Sequence, residues 1–384
     1  MDILTLNKIS PVGTKEFTAN YNVTDDCASP DAIMVRSASM HDMEMPESLL
    51  AIARAGAGVN NIPIDKCAEQ GIVVFNTPGA NANGVKELAL AALLLASRDI
   101  IGGIEWAKTL EGDDVAKQVE KGKSNFAGHE IAKKTLGGVG LGAIGVGVAN
   151  AAHKLGMKDL GYDPYISLKS AWNLSHHIVK ATDLNEIYAN CDFICIHAPL
   201  TEETKHFVNA DSIAKMKDGV IIINLSRADL VCDDDIETAL NDGKVAKYIT
   251  DFPNAKTIKM KNCISIPHLG ASTEESEDNC AVMAAHELID YLENGNIVNS
   301  VNFPAVELPK TNAMRICVIH KNIPNTLSKI SSVISAQSIN IANMINKSKG
   351  DFAYTMLDCD SDITSETEKI ISDIEGVIRV RIIK

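Results

Sequence analysis

The stretch Thr135-Leu136-Gly137-Gly138-Val139-Gly140-Leu141-Gly142-Ala143-Ile144-Gly145 decides the fold of this chain. Its first half predicts a buried strand, and a helical pattern follows over residues 145–155. Gly140 would permit a tight turn, Gly142 would let the backbone approach a pyrophosphate, and Gly145 would let helix and strand pack closely. The pyrophosphate would lie at the helix N-terminus, where N–H groups and the helix dipole favour an anion. The stretch therefore predicts a dinucleotide-binding turn.

An acidic residue stands where such a turn needs one. Asp163 follows a second strand candidate, residues 160–162, and lies 23 positions after Gly140. A carboxylate there accepts hydrogen bonds from the ribose hydroxyls and repels a 2′-phosphate, so the sequence favours NAD over NADP. A glycine-rich turn without a ligand is the alternative for the bare glycine motif. The strand, the helix and the acid together favour dinucleotide binding.

Strand and helix candidates alternate on both sides of the turn, which is typical of parallel sheets with crossover helices. Six strand candidates predict one doubly wound domain, at residues 135–139, 160–162, 193–197, 220–225, 247–251 and 263–266. Nearer the N-terminus, strand candidates at residues 32–35, 49–53 and 72–75 predict a second parallel sheet. Residues 87–101 predict one long apolar helix, and the polar residues 111–129 predict a surface excursion.

The C-terminal part of the chain has a different pattern. Residues 274–294 predict one long helix, and a proline-containing linker follows. The tail then runs strand, helix, strand, strand, helix, strand, and this βαββαβ order is ferredoxin-like. We predict a first domain of residues 1–92 plus about 281–305, a nucleotide-binding domain of residues 93–280, a linker at 306–311 and a tail domain at 312–384.

Charge and cysteine usage exclude several classes of partner. The 384 residues carry 36 basic and 50 acidic side chains, a formal net charge of −14. Such a chain repels nucleic acid and anionic lipid, so we expect neither nucleic acid nor membrane as a partner. Nine cysteines are scattered without a C-x-x-C pair or zinc spacing. We therefore expect free thiols in a reducing cytosol and no bound metal.

Two side chains suited to acid–base and anion chemistry follow later strands of the predicted sheet. Arg227 comes just after residues 220–225, and His268 comes just after residues 263–266. Ligands bind at the carboxyl ends of parallel strands, where an arginine can fork onto a carboxylate and a histidine can take a hydroxyl proton. A surface arginine and a loop-capping histidine are the alternatives. Their successive positions favour a dehydrogenase of 2-hydroxy acids.

Taken together, these residues resemble the D-isomer-specific 2-hydroxyacid dehydrogenases. Two further segments carry the resemblance, Val35-Arg36-Ser37 and Ala53-Arg54-Ala55-Gly56-Ala57-Gly58-Val59-Asn60-Asn61-Ile62. The resemblance implies an α/β chain with two doubly wound parallel-sheet domains, a flavodoxin-like substrate domain and a Rossmann nucleotide-binding domain. It also implies that Arg36, Ser37 and Arg54 contact a substrate phosphate and that Gly58 and Val59 hold the substrate carboxylate. Solvated arginines are the alternative.

The same resemblance implies the rest of the cofactor site and the catalytic groups. The residues implied around NAD are Ala57, Gly140, Gly142, Ala143, Ile144, Gly145, Asp163, Ala198, Leu225, Ser226, Arg227, Asp251, His268, Gly270 and Ala271. Arg227 would polarise the substrate and His268 would accept the proton. The family's third catalytic group is a glutamate, but no Glu lies between Asp251 and His268. Either Asp251 itself partners His268 or the histidine works unpaired, and we favour Asp251.

The tail resembles an ACT regulatory domain, which implies an L-serine effector bound by His320, Asn322 and Asn340 across a domain–domain interface. One departure is that the usual Pro-Gly is Pro324-Asn325 here. Asn tolerates the left-handed conformation, but it adds a side chain where ligand and backbone would meet. The alternative is a tail that only dimerises. We expect a homodimer or a homotetramer.

The function that the resemblance implies is NAD-dependent oxidation of a small phosphorylated hydroxy acid, 3-phosphoglycerate, to 3-phosphohydroxypyruvate. A hydroxypyruvate or glyoxylate reductase is one alternative, and the arginine pair Arg36 and Arg54 argues against it because an unphosphorylated acid does not need both. A non-catalytic NAD-sensing scaffold is the other alternative, which the missing glutamate favours and the presence of Arg227 and His268 opposes.

Overall fold

The computed structural model describes residues 1–309, 311 and 313–384. Contacts divide the chain into two compact units, residues 1–81 with 274–384, and residues 82–273. The strands are β1 (Asp2–Leu6), β2 (Asn22–Thr24), β3 (Ala32–Val35), β4 (Ala51–Arg54), β5 (Val73–Asn76), β6 (Thr135–Val139), β7 (Lys158–Tyr162), β8 (Val179–Lys180), β9 (Phe193–Ile196), β10 (Val220–Asn224), β11 (Val245–Thr250), β12 (Cys263–Ser265), β13 (Met314–Lys321), β14 (Ile341–Lys349), β15 (Phe352–Cys359) and β16 (Val377–Ile383).

The helices follow the strands in alternation through most of the chain. They are α1 (Pro11–Thr14), α2 (Ile64–Glu69), α3 (Ala82–Ser97), α4 (Ile100–Ala107), α5 (Val115–Gly122), α6 (Ala143–Lys154), α7 (Leu168–Asn173), α8 (Leu184–Asn190), α9 (Ala210–Ala214), α10 (Asp233–Asn241), α11 (Glu274–Asn294), α12 (Thr326–Ala336) and α13 (Ser365–Ser372). The long helix predicted at residues 274–294 has those bounds in the structure.

The first unit contains a five-stranded parallel sheet in the order β2-β1-β3-β4-β5. This is the flavodoxin-like strand order, so the predicted fold of the N-terminal region is confirmed. Both faces of the sheet are buried, because Ala32 and Met34 join one hydrophobic cluster while Ile33 and Val35 join another. Continuous aliphatic runs are typical of parallel strands covered on both faces. Helix α11 contributes to the first of these clusters.

The second unit contains a seven-stranded parallel sheet in the order β12-β11-β10-β9-β6-β7-β8. From β8 to β11 this is the doubly wound dinucleotide-binding order, which confirms the predicted Rossmann domain. The sequence predicts six strands here and the structure has seven. The additional strand, β8, has two residues, Val179 and Lys180, both exposed, so it has no hydrophobic pattern to reveal it.

The helices at the start of the second unit differ from the prediction. Instead of one helix over residues 87–101, α3 ends at Ser97 and α4 begins at Ile100. The break has a local cause, since Asp99 caps α4 by accepting a hydrogen bond from the Gly102 N–H with its side chain. An N-cap aspartate takes a non-helical conformation. The polar residues 111–129 also contain a helix, α5, rather than only an excursion.

The tail forms a four-stranded antiparallel sheet in the order β14-β15-β13-β16, which confirms the ferredoxin-like βαββαβ prediction. On one face, Ile316 and Val318 pack with Ile330 of α12 and Ile371 of α13. On the other face, Cys317, Ile319, Tyr354 and Met356 share a hydrophobic cluster with α11 and β5. The division into three domains stays a prediction; Lys310 in its linker and Asn312 at the start of its tail lie outside the described residues.

Candidate functional site

The three glycines of the turn after β6 have three different surroundings. Gly140 has φ +90°, and a Cβ there would lie 2.7 Å from the carbonyl oxygen of His197. Gly145 in the first turn of α6 lies so close to the Gly140 carbonyl that a Cβ would overlap it. A Cβ on Gly142, by contrast, would meet no atom within 4 Å. The open space at Gly142 lies in front of the α6 N-terminus, where a pyrophosphate fits.

Asp163, which follows β7, is tied to this turn. One carboxylate oxygen accepts a hydrogen bond from the Leu141 N–H at 2.8 Å, and the other accepts one from the Tyr165 N–H at 2.8 Å. A carboxylate has about four acceptor sites, so two remain for ribose hydroxyls. A cavity of about 380 Å³ borders Leu141, Asp163, Pro164 and Ile178. Its position beside the acidic residue suits the adenosine half of a dinucleotide.

His197 lies behind the glycine turn, and sequence reasoning underestimated it. The segment after β9 approaches Gly140 through His197 and Ala198, and the His197 ring lies beside Gly145. Both ring nitrogens are buried without a hydrogen-bond partner among the described residues. Burial lowers the pKa of His197 to about 4, so the ring is neutral at physiological pH. A neutral ring that supports the turn explains the histidine at this strand end, where the sequence predicts a loop that lines the cofactor rather than an acid–base residue.

The loop that carries Arg227 is held by an asparagine that sequence reasoning missed. Asn224, the last residue of β10, is fully buried. Its Nδ2 donates to the Arg227 carbonyl at 2.8 Å, and its Oδ1 accepts from the Ser226 N–H at 3.2 Å. The Ser226 hydroxyl donates to the Ile196 carbonyl at 2.7 Å, which ties this loop to β9. A polar residue closing an Ile-Ile-Ile run was the available signal.

The structure brings Asp251, Arg227 and His268 together at the carboxyl ends of β10, β11 and β12. Asp251 is 1% exposed, and its Oδ2 accepts a hydrogen bond from the Gly270 N–H at 3.3 Å. Burial raises the pKa of Asp251, while the charge of His268, the Gly270 N–H and the charge of Arg227 oppose that rise. The Asp251 carboxyl group therefore lies within electrostatic range of both candidate catalytic side chains.

His268 itself is exposed, and its backbone is strained. Its φ of 50° is in the left-handed region, which few residues other than glycine adopt. The ring packs against Phe252 with centroids 5.0 Å apart. Strained backbone persists where the surrounding structure requires it, often at functional sites. Gly270 follows in a tight place, since a Cβ there would lie 3.0 Å from Asp251 Oδ2, and Ala271 comes next in the chain.

In the first unit, Arg36 and Arg54 meet at the ends of adjacent strands. Arg54 Nε donates to the Arg36 carbonyl at 3.1 Å. Gly56 has φ +151°, and a Cβ there would overlap the Arg54 guanidinium. Only glycine therefore leaves room for the Arg54 side chain in this position. The Ser37 N–H donates to Asn7 Oδ1 at 3.2 Å. Two arginines at adjacent strand ends beside a turn rich in glycine are candidates for a local anion site in an acidic chain.

The loop after Gly56 leaves space for a ligand. The Ala57 carbonyl accepts a hydrogen bond from Asn76 Nδ2 at 2.6 Å, which anchors the loop to β5. A Cβ on Gly58 would meet only Asn60 Oδ1, at 3.7 Å. The loop is therefore anchored on one side and has open space beside Gly58.

The three residues predicted to bind an effector are not brought together within one chain. His320 is buried, with Nδ1 at 2.8 Å from the Lys321 carbonyl and Nε2 at 2.9 Å from Thr355 Oγ1. Asn322 donates to the Gly350 carbonyl at 3.2 Å, whereas the Asn340 N–H donates to Asp360 Oδ1. Because β13 pairs with β15 from end to end, Asn340 lies at the opposite end of the sheet from the other two.

The described chain offers neither a membrane-spanning helix nor a metal-ligand cluster. Over residues 1–309, 311 and 313–384, no helix is long and apolar enough to cross a bilayer. In the same ranges, no cluster of three or more His, Cys, Asp or Glu side chains is arranged to hold a metal ion.

The sequence profile of the family described as D-isomer specific 2-hydroxyacid dehydrogenase, NAD binding domain, matches residues 90–270. The chain is 30% identical over 356 residues to a D-3-phosphoglycerate dehydrogenase of Haemophilus influenzae, covering 89% of this chain and 83% of that protein. It is 36% identical over 274 residues to a hydroxypyruvate reductase of Thermotoga maritima, covering 68% of this chain and 85% of that protein.

Other curated relatives, also named D-3-phosphoglycerate dehydrogenase, are longer, and the chain spans about half of their length. Among solved structures, the fold is similar to an NAD⁺-bound 3-phosphoglycerate dehydrogenase from Entamoeba histolytica. The TM-score is 0.60 at 27% sequence identity, covering 79% of this chain and 98% of that one.

Proposed function

This chain belongs to the D-isomer-specific 2-hydroxyacid dehydrogenase family, and we propose that it oxidises 3-phosphoglycerate to 3-phosphohydroxypyruvate with NAD. This reaction opens the phosphorylated route to L-serine. The observation that carries the proposal is that Arg36 and Arg54 lie at adjacent strand ends beside the open space at Gly58, where Arg54 Nε donates to the Arg36 backbone carbonyl. Two guanidinium groups suit a phosphate dianion, whereas an unphosphorylated hydroxy acid needs only one.

The residues around the glycine turn fit NAD. The N–H groups at the start of α6, including those of Ala143 and Ile144, would face the pyrophosphate in the space that Gly142 leaves open. Asp163 would hold the ribose, and Ala198 would border the adenosine. The remaining residues that we assign to the cofactor are Ala57, Leu225, Ser226, Gly270 and Ala271. When bound, NAD supplies the hydride acceptor.

Three side chains perform the rest of the chemistry. His268 takes the proton of the substrate hydroxyl as the carbonyl forms, because an imidazole can accept a proton near neutral pH. Arg227 binds the substrate carboxylate and polarises the new carbonyl oxygen. Asp251 acts as the positioning residue in place of the family's glutamate, which is supported by its electrostatic coupling to both His268 and Arg227. Arg36, Ser37 and Arg54 hold the phosphate, and Gly58 with Val59 binds the carboxylate.

A steady-state assay tests the proposal. We expect NADH formation from 3-phosphoglycerate and NAD at alkaline pH, and NADH oxidation with 3-phosphohydroxypyruvate. His268→Gln should lower kcat by about 10²–10⁴-fold, the usual contribution of general acid–base catalysis. His129→Gln, at an exposed histidine of the same unit, is the matched control and should leave kcat unchanged. Absence of turnover in both directions would refute the proposed reaction.

A second candidate function is reduction of hydroxypyruvate or glyoxylate. It is supported by the relative named hydroxypyruvate reductase, which has a higher identity than the Haemophilus influenzae relative over a shorter part of this chain. The two functions differ in whether the substrate phosphate raises kcat/KM. Comparing kcat/KM for 3-phosphohydroxypyruvate with that for hydroxypyruvate separates them, and a higher value for the unphosphorylated acid would favour the second candidate.

We also propose that the tail mediates assembly into a homodimer or homotetramer and binds L-serine between two copies. The support is β14, a nine-residue edge strand with mostly exposed side chains. Exposed edges can pair with another chain. Antiparallel pairing of two β14 strands would bring Asn340 of one copy towards Asn322 and His320 of the other. Sedimentation with and without L-serine, for the native chain and Asn340→Ala, tests this arrangement.

A reducing cytosol is the proposed location. All nine cysteines lie in the described part of the chain and are free thiols, and six of them are buried. Free thiols persist in reducing compartments.

A further inference from the structure

An acidic side chain already forms an ion pair with one of the two arginines to which we assign the substrate phosphate. Glu277, in the first turn of α11, accepts a hydrogen bond from Arg36 Nη2 at 2.6 Å. Each of the two side chains is 42% exposed. Arg36 in turn accepts the Arg54 hydrogen bond through its backbone carbonyl. The ion pair therefore lies directly beside the group of residues to which the substrate phosphate is assigned.

Cys280, one helical turn after Glu277, lies near Arg36, Arg54 and Glu277. Burial raises the pKa of the Cys280 thiol, the charges of Arg54 and Arg36 oppose the rise, and the charge of Glu277 adds to it. A thiol whose pKa responds to all three charged groups lies close to each of them. The start of α11 thus lies near both arginines, and its Glu277 carboxylate pairs with Arg36.

We infer that Glu277 is a stand-in anion that occupies Arg36 until a substrate phosphate displaces it. The inference rests on the proposed function, because it takes Arg36 and Arg54 as the phosphate site. If a ligand carboxylate replaced Glu277, Arg36 would exchange one monoanionic partner for another, and little binding free energy would be gained. A phosphate carries a charge of about −1.5 to −2 near pH 7 and has oxygens for both guanidinium groups, so it gains by the exchange.

Because Arg36 and Glu277 are both partly exposed, breaking their ion pair costs little free energy. Exposed ion pairs contribute about 0.2–1 kcal/mol, and 1.36 kcal/mol corresponds to a tenfold change in an equilibrium constant. Competition from Glu277 therefore weakens phosphate binding by about 1.5- to 5-fold. Glu277→Gln keeps the length of the side chain and removes the charge, so it should release Arg36 without disturbing α11.

The first measurement is binding of inorganic phosphate to the full chain by calorimetry at low ionic strength. We expect Glu277→Gln to lower Kd by about 1.5- to 5-fold. Glu275→Gln removes the same charge from the same helical turn at an exposed residue and should leave Kd unchanged. In an Arg36→Gln background, Glu277→Gln should have no effect, because the pair is already broken.

The second measurement is the steady-state assay with 3-phosphoglycerate. Glu277→Gln should lower KM by the same factor and leave kcat unchanged. An unchanged or higher Kd for phosphate in Glu277→Gln would overturn the inference, as would an equal decrease in Glu275→Gln. Failure of the inference and failure of the proposed function are distinguishable. Turnover without tighter phosphate binding refutes only the stand-in role, and tighter phosphate binding without turnover refutes only the reaction.

Discussion

At the scale of single residues, Gly142 and Gly145 separate two requirements that the glycine motif combines. Gly145 is required by packing, since a Cβ there would overlap the Gly140 carbonyl. Gly142 is not required by packing, since nothing lies within 4 Å of its Cβ position and its φ of −73° suits any residue. What Gly142 leaves open is the space in front of the α6 N-terminus, so its role belongs to the ligand.

These surroundings predict opposite effects of the same methyl group. Gly142→Ala should fold with unchanged stability but bind NADH about tenfold more weakly, or about 1.4 kcal/mol, because the methyl group fills the pyrophosphate space. Gly145→Ala should lower the free energy of unfolding by about 1–3 kcal/mol, the usual cost of overpacking. Fluorescence titration with NADH and urea unfolding measure the two quantities. A strongly destabilised Gly142→Ala protein would contradict this division of roles.

At the scale of elements, helix α11 has two functions at different points along its length. Its first turn presents Glu277 to Arg36, and its second half is covered by the tail. Glu287 lies in this second half and is only 8% exposed. Its Oε1 accepts a hydrogen bond from Asn299 Nδ2 at 2.6 Å, while its Oε2 is buried without a partner in the described chain. Burial raises the pKa of Glu287 to about 8.

Glu287 should make stability depend on pH in an unusual direction. In the unfolded chain a glutamate loses its proton near pH 4.3, whereas the folded chain retains it up to about pH 8. The folded state thus binds more protons between these values, and stability falls as pH rises through this window. Glu287→Gln should match the native chain at pH 4 and exceed it by about 5 kcal/mol at pH 9, because the two pKa values of Glu287 lie far apart.

Urea unfolding at several pH values measures this difference. Glu274→Gln, at an exposed residue of the same helix, is the control and should follow the native chain at every pH. Parallel curves for the native chain and Glu287→Gln would show that Glu287 ionises normally in the folded protein.

At the scale of the whole molecule, the tail and the parallel sheet of the first unit share one hydrophobic cluster. Arg315 of β13 stabilises this junction. It pairs with Asp358 through Nε and Nη2 at 2.7 and 3.1 Å, and it donates to the carbonyls of Asn294, Leu308 and Pro309. Arg381 lies over the Tyr291 ring at 4.5 Å. The tail is therefore anchored to the end of α11 rather than only linked to it.

Breaking the buried pair should destabilise the first unit as a whole. Arg315 and Asp358 side chains are 5% and 1% exposed, so Arg315→Met would leave a buried, unpaired carboxylate at a cost of about 3–5 kcal/mol. Arg315→Met combined with Asp358→Leu removes both charges and should recover most of the loss. Thermal unfolding followed by calorimetry measures both. A double variant no more stable than the single one would show that the carbonyl contacts of Arg315 dominate.

The sequence by itself determined the features that depend on neighbours along the chain. The glycine turn, Asp163, the bounds of α11 and the βαββαβ order of the tail follow from local periodicity and turn chemistry. Strand-end positions also predicted Arg227 and His268 as catalytic candidates, because the carboxyl ends of parallel strands meet at one edge. Asp251 was favoured on a different ground, the family resemblance together with the absence of a Glu between Asp251 and His268.

Only the tertiary structure decided features that depend on burial and on distant partners. Arg36 and Glu277 are 241 positions apart, so no local pattern joins them. Asn224 and His197 gained their roles from the strands beside them, and β8 formed from two exposed residues because β7 offered a free edge. Periodicity reports which face of an element is apolar. It does not report which other element covers that face, and in this chain that decides which carboxylate meets which arginine.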